Sequence, residues 1–513
     1  MVTRIVAQQV AQQVAKKAGK SARKAVRNVQ RNASRAATGM LGMSGERMTK
    51  VDTAWLRMDT PSNLMMIVGV WTIQPGIRYQ DLCQRVQERL LKYARFRQRV
   101  EQDTAGATWI EDEDFDIERH VVREKLPRHA KGHEQQALQD RVGELAMQPL
   151  DHQHPLWQIH LIEDYQGGSA MLVRIHHCIA DGIALISVTM SLVDGGAPPP
   201  ERKRKHVAEN AEDWIADTLI KPFTDMTVKA LGAAGEGAVK SLGMLRDPQK
   251  GMAGSLDIAK LAYQVLSDAA ALALMPDDSK TRLKGKPGLA KRVAWCEPLP
   301  LEEVKAVGKA LNCSINDVLL SCVAGAIGEY LRHLGDDVTG QEIRAMIPVN
   351  LRPLDQAYKL GNRFGLVPLV LPIGMENPIE RVYEVRRRMN ALKGSTQPLL
   401  AFGLLAVAGL LIKPAQDAML NLFGKKTTAV MTNVPGPREK LKLLGSTLEQ
   451  SMFWVPQSGD IGLGVSILSY GGGVQFGVIT DTTLCPQPQK IIDEFTPEFA
   501  KLSIVTLMLP WGE

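Results

Sequence analysis

A chain of 513 residues with 45% apolar and 23% charged residues has material for one large or two ordinary hydrophobic cores, which excludes a predominantly disordered state. Six cysteines without a single C-x-x-C pair argue against a disulfide framework and a zinc knuckle, so a reducing compartment is expected. The net charge of +7 is unevenly placed: residues 1–45 carry nine Lys/Arg and no acid, the remainder comes out at −2, and no nucleic-acid partner is expected of such a body.

Residues 1–47 form a basic extension. Val2, Val6, Val10, Val14, Ala18, Ala22 and Val26 recur every four positions, while Lys16, Lys17, Lys20, Arg23, Lys24, Arg27 and Arg31 fall mostly on other faces. Two readings stand side by side: an amphipathic helix lying in an anionic lipid interface, and a solvated basic arm.

Residues 48–195 alternate strand and helix signals. Leu82, Val86, Leu90, Tyr93 and Val100 have the spacing of one amphipathic helix, Met171–Ile175 has that of a buried strand, and Ile183–Val193 of a helix. Gly195, Gly196 and Pro198–Pro200 then mark a boundary. Residues 196–292, rich in Gly and Ala, are expected to be a long helical connector. From 293 to 513 the alternation resumes. Helices are expected at Glu302–Leu311, Ile315–Leu334 and Ile379–Leu392, and strands at Ile343–Val349, Phe364–Leu371, Thr428–Met431 and Ile461–Thr480, the last broken by a turn at Gly471–Gly473. The pattern predicts an α/β protein of two lobes. The longest apolar run, Leu399–Ile412, stops at Lys413 and Pro414; its length suits a buried or interface-dipping helix but not a bilayer span.

No G-x-S-x-G elbow, P-loop, H-E-x-x-H helix or G-x-G-x-x-G turn is present, which removes support for serine hydrolases, P-loop NTPases, zincins and dinucleotide enzymes. Eight of the ten histidines lie within 58 residues. His176 and His177 close the strand Met171–Ile175, and Asp181 sits in the turn before the next helix. Adjacent strand residues face opposite ways, so only one of the two imidazoles faces a given cavity. An equally local reading makes Asp181 an N-cap and the histidines structural; a metal site is disfavoured because neighbouring residues rarely converge on one ion.

The segment His176-His177-Cys178-Ile179-Ala180-Asp181-Gly182 resembles the H-H-x-x-x-D-G signature of the wax ester synthase/diacylglycerol acyltransferase family, within the CoA-dependent acyltransferases typified by chloramphenicol acetyltransferase. Pro155-Leu156-Trp157, Asn316-Asp317, Pro348–Arg352, Gly361–Gly365 and Asn433–Pro437 match in order. The resemblance covers most of the chain from Met48 onward. It implies two chloramphenicol acetyltransferase-like lobes, mixed sheets flanked by helices, with the active site between them. It also implies transfer of a fatty acyl group from acyl-CoA to a fatty alcohol or diacylglycerol, without a cofactor.

On that resemblance His177 is the general base, His176 supports it, and Asp181 organises the turn, with Arg352 as candidate partner. A neutral imidazole suits the task because an alcohol needs a base beside it near pH 7. Asn316 is the candidate oxyanion donor, whereas Ser314-x-x-Asp317 also has the form of a capping box, making Asp317 a cap. Pro155, Leu156 and Trp157 either pack the core or line the acyl tunnel. Asn433, Pro435 and Gly436 either make a tight turn or contact CoA. Lipid substrates imply a cytoplasmic protein at the inner face of a membrane or at lipid inclusions, with the tail, the connector and Leu399–Ile412 as candidate docking segments. Two alternatives keep their place: a different acceptor, an amine or polyketide hydroxyl, and a non-catalytic lipid-surface protein.

Overall fold

The computed structural model describes residues 45–103, 106–127, 130–196, 275–351, 360–392, 416 and 424–509. In the first half these form β1 (Glu46–Arg47), α1 (Lys50–Arg57), β2 (Met66–Gln74), α2 (Tyr79–Arg89), β3 (Gln98–Asp103), β4 (Gly106–Glu111), α3 (Ile117–His120), β5 (Val121–Lys125), α4 (Glu134–Ala146), β6 (Trp157–Tyr165), β7 (Gly168–His176) and α5 (Gly182–Leu192). The second half adds β8 (Lys291–Trp295), β9 (Leu299–Pro300), α6 (Leu301–Ala310), α7 (Ile315–His333), β10 (Ile343–Asn350), β11 (Phe364–Leu371) and α8 (Pro378–Leu392). It is completed by β12 (Ala429–Pro435), β13 (Lys442–Leu443), β14 (Ser446–Trp454), β15 (Leu463–Tyr470), β16 (Gly473–Asp481) and α9 (Gln489–Leu507).

Two mixed sheets carry two lobes. The first runs β13-β14-β2-β7-β6-β5 and the second β11-β10-β12-β15-β16-β8, with β9 added on β16; β1, β4 and β3 make a small third sheet. The strands that sequence periodicity suggests are all present, with ends moved by a few residues. Three expectations need correction. The apolar spacing from Leu82 to Val100 is not one helix: α2 stops at Arg89, short 3₁₀ turns follow, and Val100 lies in β3 opposite Trp109 of β4. Pairing along β4 outweighs a helical spacing that the 3₁₀ turns satisfy equally well.

The second correction concerns the connector. Residues 275–290 hold no helix, β8 begins inside the expected span at Lys291, and Asp278 Oδ2 accepts from Arg344 N and Thr428 Oγ1 at 2.8 and 2.7 Å, so this stretch belongs to the second lobe. Residues 197–274 lie outside the described residues, as do 1–44, Arg352 and Leu399–Ile412. Third, β1, placed by sequence in the extension, pairs with β4, and β14, placed in the second lobe, pairs with β2 of the first sheet from Thr447↔Gln74 to Trp454↔Val68. The second half of the chain thus contributes an edge to the first sheet and locks the lobes together.

Apolar burial fills both lobes, around Phe96, Trp157, Met171 and Leu172 in the first and around Val323, Ile327, Phe476 and Phe495 in the second. Inside the second, Arg381 of α8 pairs with Glu498 of α9 and donates to Ser321 O of α7 at 3.0 Å, binding three helices through one guanidinium. A Cβ on Gly325 would collide with that pair, which explains a glycine in mid-helix. Among the described residues no single helix is long and apolar enough to cross a membrane. At the seam between lobes the buried Lys291 ammonium donates to Asn63 Oδ1 at 2.6 Å and to Gln457 Oε1, and burial lowers its pKa to about 7.

Candidate active site

β7 delivers His176 and His177 to the seam. The register Met66↔His176 fixes the end of the strand, and His177 N donates to Met65 O at 2.7 Å to continue the ladder by one step. Beyond it the chain turns; Asp181, extended at φ −80° and ψ 172°, caps α5 by accepting from Ala184 N at 2.9 Å through Oδ1. Its second oxygen accepts from Arg363 N at 2.9 Å, and Ala180 bridges Gly361, so the turn is joined to the segment leading into β11. Asp181 is therefore both an N-cap and a contact between the lobes.

The two imidazoles part company. His176 lies on the first-lobe side: its Nδ1 accepts from Cys178 N at 3.1 Å, and its Nε2 faces Asp59 Oδ2 at 3.4 Å, off a hydrogen bond's line. Burial pushes the Asp59 carboxyl up, but the facing His176 ring and Met65 N, which donates to Asp59 Oδ1 at 2.6 Å, outweigh it, and the pKa is held below the ordinary value. His177 turns the other way, against α1 and β11. Its ring stacks on Trp55 with centroids 4.2 Å apart and planes at 17°, and meets Phe364 at 5.4 Å. The residue is 3% exposed. Desolvation lowers its pKa to about 4, so the ring is neutral across the physiological range.

Three residues at this site carry no local sequence signal for it. Asp52 and Trp55 stand one turn apart on α1, hence on the same face. Asn362 lies within the Gly361–Gly365 motif, whose sequence does not mark it for this role. Its Nδ2 donates to Asp52 Oδ1 and to His177 O, each at 2.7 Å, and its backbone N donates to Asp52 Oδ1 at 3.0 Å. Burial raises the Asp52 pKa to about 6 despite these donors.

The other sequence candidates divide between support and periphery. Pro155, Leu156 and Trp157 are buried; Leu156 O accepts from His176 N at 2.9 Å, while Trp157 donates its indole N–H to Phe96 O at 2.9 Å and stacks on His120. They brace the strand that carries the histidines. Asp317 and Ser314 close a reciprocal capping box at the start of α7, with Asp317 N donating to Ser314 Oγ at 3.2 Å and Ser314 N to Asp317 Oδ2 at 2.8 Å. Asn316, exposed beside them, accepts at Oδ1 from Asn433 Nδ2 at 2.9 Å, which joins two candidates from distant motifs. Pro435 ends β12, and a Cβ on Gly436 would stand 2.6 Å from Ser469 O, so only glycine fits that close approach. The clustered histidines disperse: His154 bonds Asp112, His160 bonds Glu124, and His120 bonds Trp157 O. Cys178 is fully buried, and burial pushes its thiol well above the ordinary range, so it presents no thiolate.

Against this geometry, residues 48–319 match the wax ester synthase/diacylglycerol acyltransferase catalytic domain, and residues 360–503 match the WS/DGAT C-terminal domain. The chain belongs to the wax ester synthase/diacylglycerol acyltransferase family. It is an acyl-CoA-dependent O-acyltransferase. A probable diacylglycerol O-acyltransferase of Mycobacterium tuberculosis is 28% identical over 445 residues, covering 85% of this chain and 90% of that protein. Among solved structures, the wax ester synthase/diacylglycerol acyltransferase from Marinobacter aquaeolei VT8 has a TM-score of 0.61 at 20% identity, covering 90% of this chain and 99% of that one. The trichothecene 15-O-acetyltransferase TRI3 from Fusarium sporotrichioides has a TM-score of 0.57 at 13% identity, with 90% and 95% covered. At these identities the two structures establish a shared two-lobe fold, and the family assignment rests on the sequence matches.

Proposed function

We propose that this protein transfers a fatty acyl group from acyl-CoA directly to the hydroxyl of a lipid alcohol, a fatty alcohol or diacylglycerol, with His177 as the general base. The observation that carries the reading is an imidazole desolvated by Trp55 and Phe364, with its pKa brought down to about 4, at the end of the signature strand. A protonated ring cannot accept a proton; this one stays in its free-base form. Nδ1 is buried and meets no hydrogen-bond partner among the described residues, and we assign the proton transfer to Nε2.

As the alcohol oxygen attacks the thioester carbonyl carbon, its proton passes to Nε2. Collapse of the tetrahedral adduct breaks the C–S bond, and the leaving thiolate takes the proton back from the imidazolium. Atoms and charge balance without a cofactor or an acyl-enzyme. The low pKa makes His177 a weak base at equilibrium, so proton transfer must accompany C–O bond formation rather than precede it. Asp181 keeps the turn in place, and Asn316, the candidate oxyanion donor, is held by Asn433, the candidate contact to CoA, through their side-chain hydrogen bond.

Peripheral membrane association completes the reading, because both acceptor classes dissolve in bilayers and residues 1–45 are cationic and free of acids. Flotation with anionic liposomes tests it: deleting residues 1–44, which leaves β1 in place, is expected to weaken binding, and equal flotation removes the tail from the account.

The central test is CoA release by purified protein with fatty alcohol and diacylglycerol offered separately, for wild type and His177→Ala. Turnover with at least one acceptor is expected, lost in the variant. Retained turnover in His177→Ala overturns the base assignment.

A further inference from the structure

The HHxxxDG turn alone does not explain what holds the His177 ring in one direction. Its neighbours on the same turn act elsewhere: Asp181 is occupied by Ala184 N and Arg363 N, and His176 by Cys178 N and Asp59. The backbone carbonyl of His177 itself is gripped from outside, by Asn362 Nδ2 at 2.7 Å. That same nitrogen reaches Asp52 Oδ1, also at 2.7 Å, and Asn362 N reaches that oxygen at 3.0 Å. The orientation of the amide is over-determined, because a flipped Asn362 would aim its oxygen at a carboxylate and a carbonyl at once.

Asp52 is in turn fixed by its helix. Thr49 caps α1 and accepts from Asp52 N at 3.1 Å, placing the carboxylate in the first turn, where the helix dipole favours negative charge. One turn further along the same face, Trp55 stacks on the His177 ring. A single two-turn helix thus holds the ring by its face and, through Asn362, holds the carbonyl from which the ring departs. Both Asp52 and Asn362 are at most 5% exposed, so water does not compete for these bonds.

We propose that Asp52 and Asn362 are positioning residues for His177: the Asp52 carboxylate fixes the Asn362 amide, and the amide fixes the backbone that aims the imidazole at the reacting hydroxyl. This rests on the reading of His177 as the base. Asp52 acts as a hydrogen-bond acceptor from the neutral Asn362, and of these two residues it is Asn362 that bonds His177. Misplacing a reacting group by about 1 Å costs on the order of 10²-fold in rate, which sets the expected size of the effect.

The experiment is steady-state kinetics on full-length Asp52→Ala, Asp52→Asn, Asn362→Ala and Asp52→Ala/Asn362→Ala, with folding checked by thermal melts. Asp52→Ala and Asn362→Ala are expected to lose roughly 10- to 100-fold in kcat with KM within about 2-fold. Asp52→Asn keeps an acceptor oxygen and is expected within about 3-fold of wild type. The double variant is expected to be no worse than the poorer single one, as links in one chain are not additive. Should Asp52→Ala fail to fold, Asn362→Ala and the Asp52→Asn rescue still decide the matter.

A raised KM with unchanged kcat, additive losses, or an Asp52→Asn as impaired as Asp52→Ala overturns the proposal. Loss of turnover in His177→Ala with wild-type kcat in Asp52→Ala and Asn362→Ala sinks the positioning chain alone. Turnover retained in His177→Ala sinks the base assignment instead, and the two failures are told apart by that variant.

Discussion

The two sides of the signature strand's end differ by one residue in sequence and by everything in environment. On the first-lobe side His176 has a carboxylate 3.4 Å away and a backbone N–H bonded to its ring. On the seam side an indole and a phenyl cover the His177 ring, and among the described residues no ion pair reaches it. Pleating alone sends the two imidazoles apart, and the surroundings then set their chemistry. A histidine beside a carboxylate is poised to hold a structure together. A histidine packed among aromatics is denied its charge and left with an available lone pair.

The largest expected effect tests that division. His177→Ala is expected to lower kcat by about 10³-fold, in the range for removing a general base. His176→Ala, which removes the ring facing Asp59 and the acceptor of Cys178 N but leaves His177, the proposed base, in place, is expected to cost roughly 10-fold, reflecting a loosened turn. Measuring CoA release for both variants side by side breaks the comparison if the two losses are equal. Trp55→Leu sharpens it. Removing the stacked indole rehydrates the ring, so the acidic limb of kcat/KM is expected to move from near pH 4 up towards the ordinary 6.5.

A second test reads the same contrast through stability. The folded His177 pKa, lowered by burial from 6.5 to about 4, means that between those values the unfolded chain holds a proton that the folded chain does not. This contribution is complete above pH 6.5 and is lost as pH falls towards 4. Asp52 works in the opposite sense. Its pKa, raised by burial from 3.8 to about 6, makes the folded chain hold the extra proton, and stability falls as pH rises through that window. Each contribution is on the order of 3 kcal/mol, and they oppose one another between pH 4 and 6. Asp52→Asn leaves His177 unopposed, so its stability is expected to climb with pH relative to wild type. His177→Ala leaves Asp52 unopposed, and its relative stability is expected to decline. Urea denaturation at pH 4.5 and 7 checks the signs; variants that both keep the wild-type slope refute the assignment.

What the sequence made legible was local. The strand before His176, the helix after Asp181 and the Ser314–Asp317 box are each written within a few consecutive residues, and all three stand in the structure. The two-lobe α/β class followed from alternation along the chain. The grip on His177 was not legible, since Asn362 reaches it from 185 positions away and Asp52 meets Asn362 across 310. Asp52 carries only the mark of a first-turn acid, and Trp55 that of a core aromatic. The passage of β14 into the first sheet likewise has no local sign, because an alternating strand serves either sheet equally well until the fold brings Trp454 opposite Val68.

The smallest effects separate a cap that touches the site from one that does not. Asp181 and Ser314 both satisfy the exposed N–H groups of a helix start. Only Asp181 also accepts from Arg363 N, in the segment that carries Asn362 and Phe364 to His177. Ser314→Ala is expected to cost about 1 kcal/mol in stability and to leave kcat within about 2-fold. Asp181→Ala is expected to cost a similar amount for the cap and about 1 kcal/mol more for the lost bond between lobes, and to lower kcat as well. Asp181→Asn keeps a good capping oxygen but turns one acceptor into a donor facing Arg363 N. It is therefore expected to restore most of the stability while recovering less of the activity. Thermal melts and kcat measured on the three variants decide it: if stability and activity fall in proportion for all of them, Asp181 is a cap and nothing more.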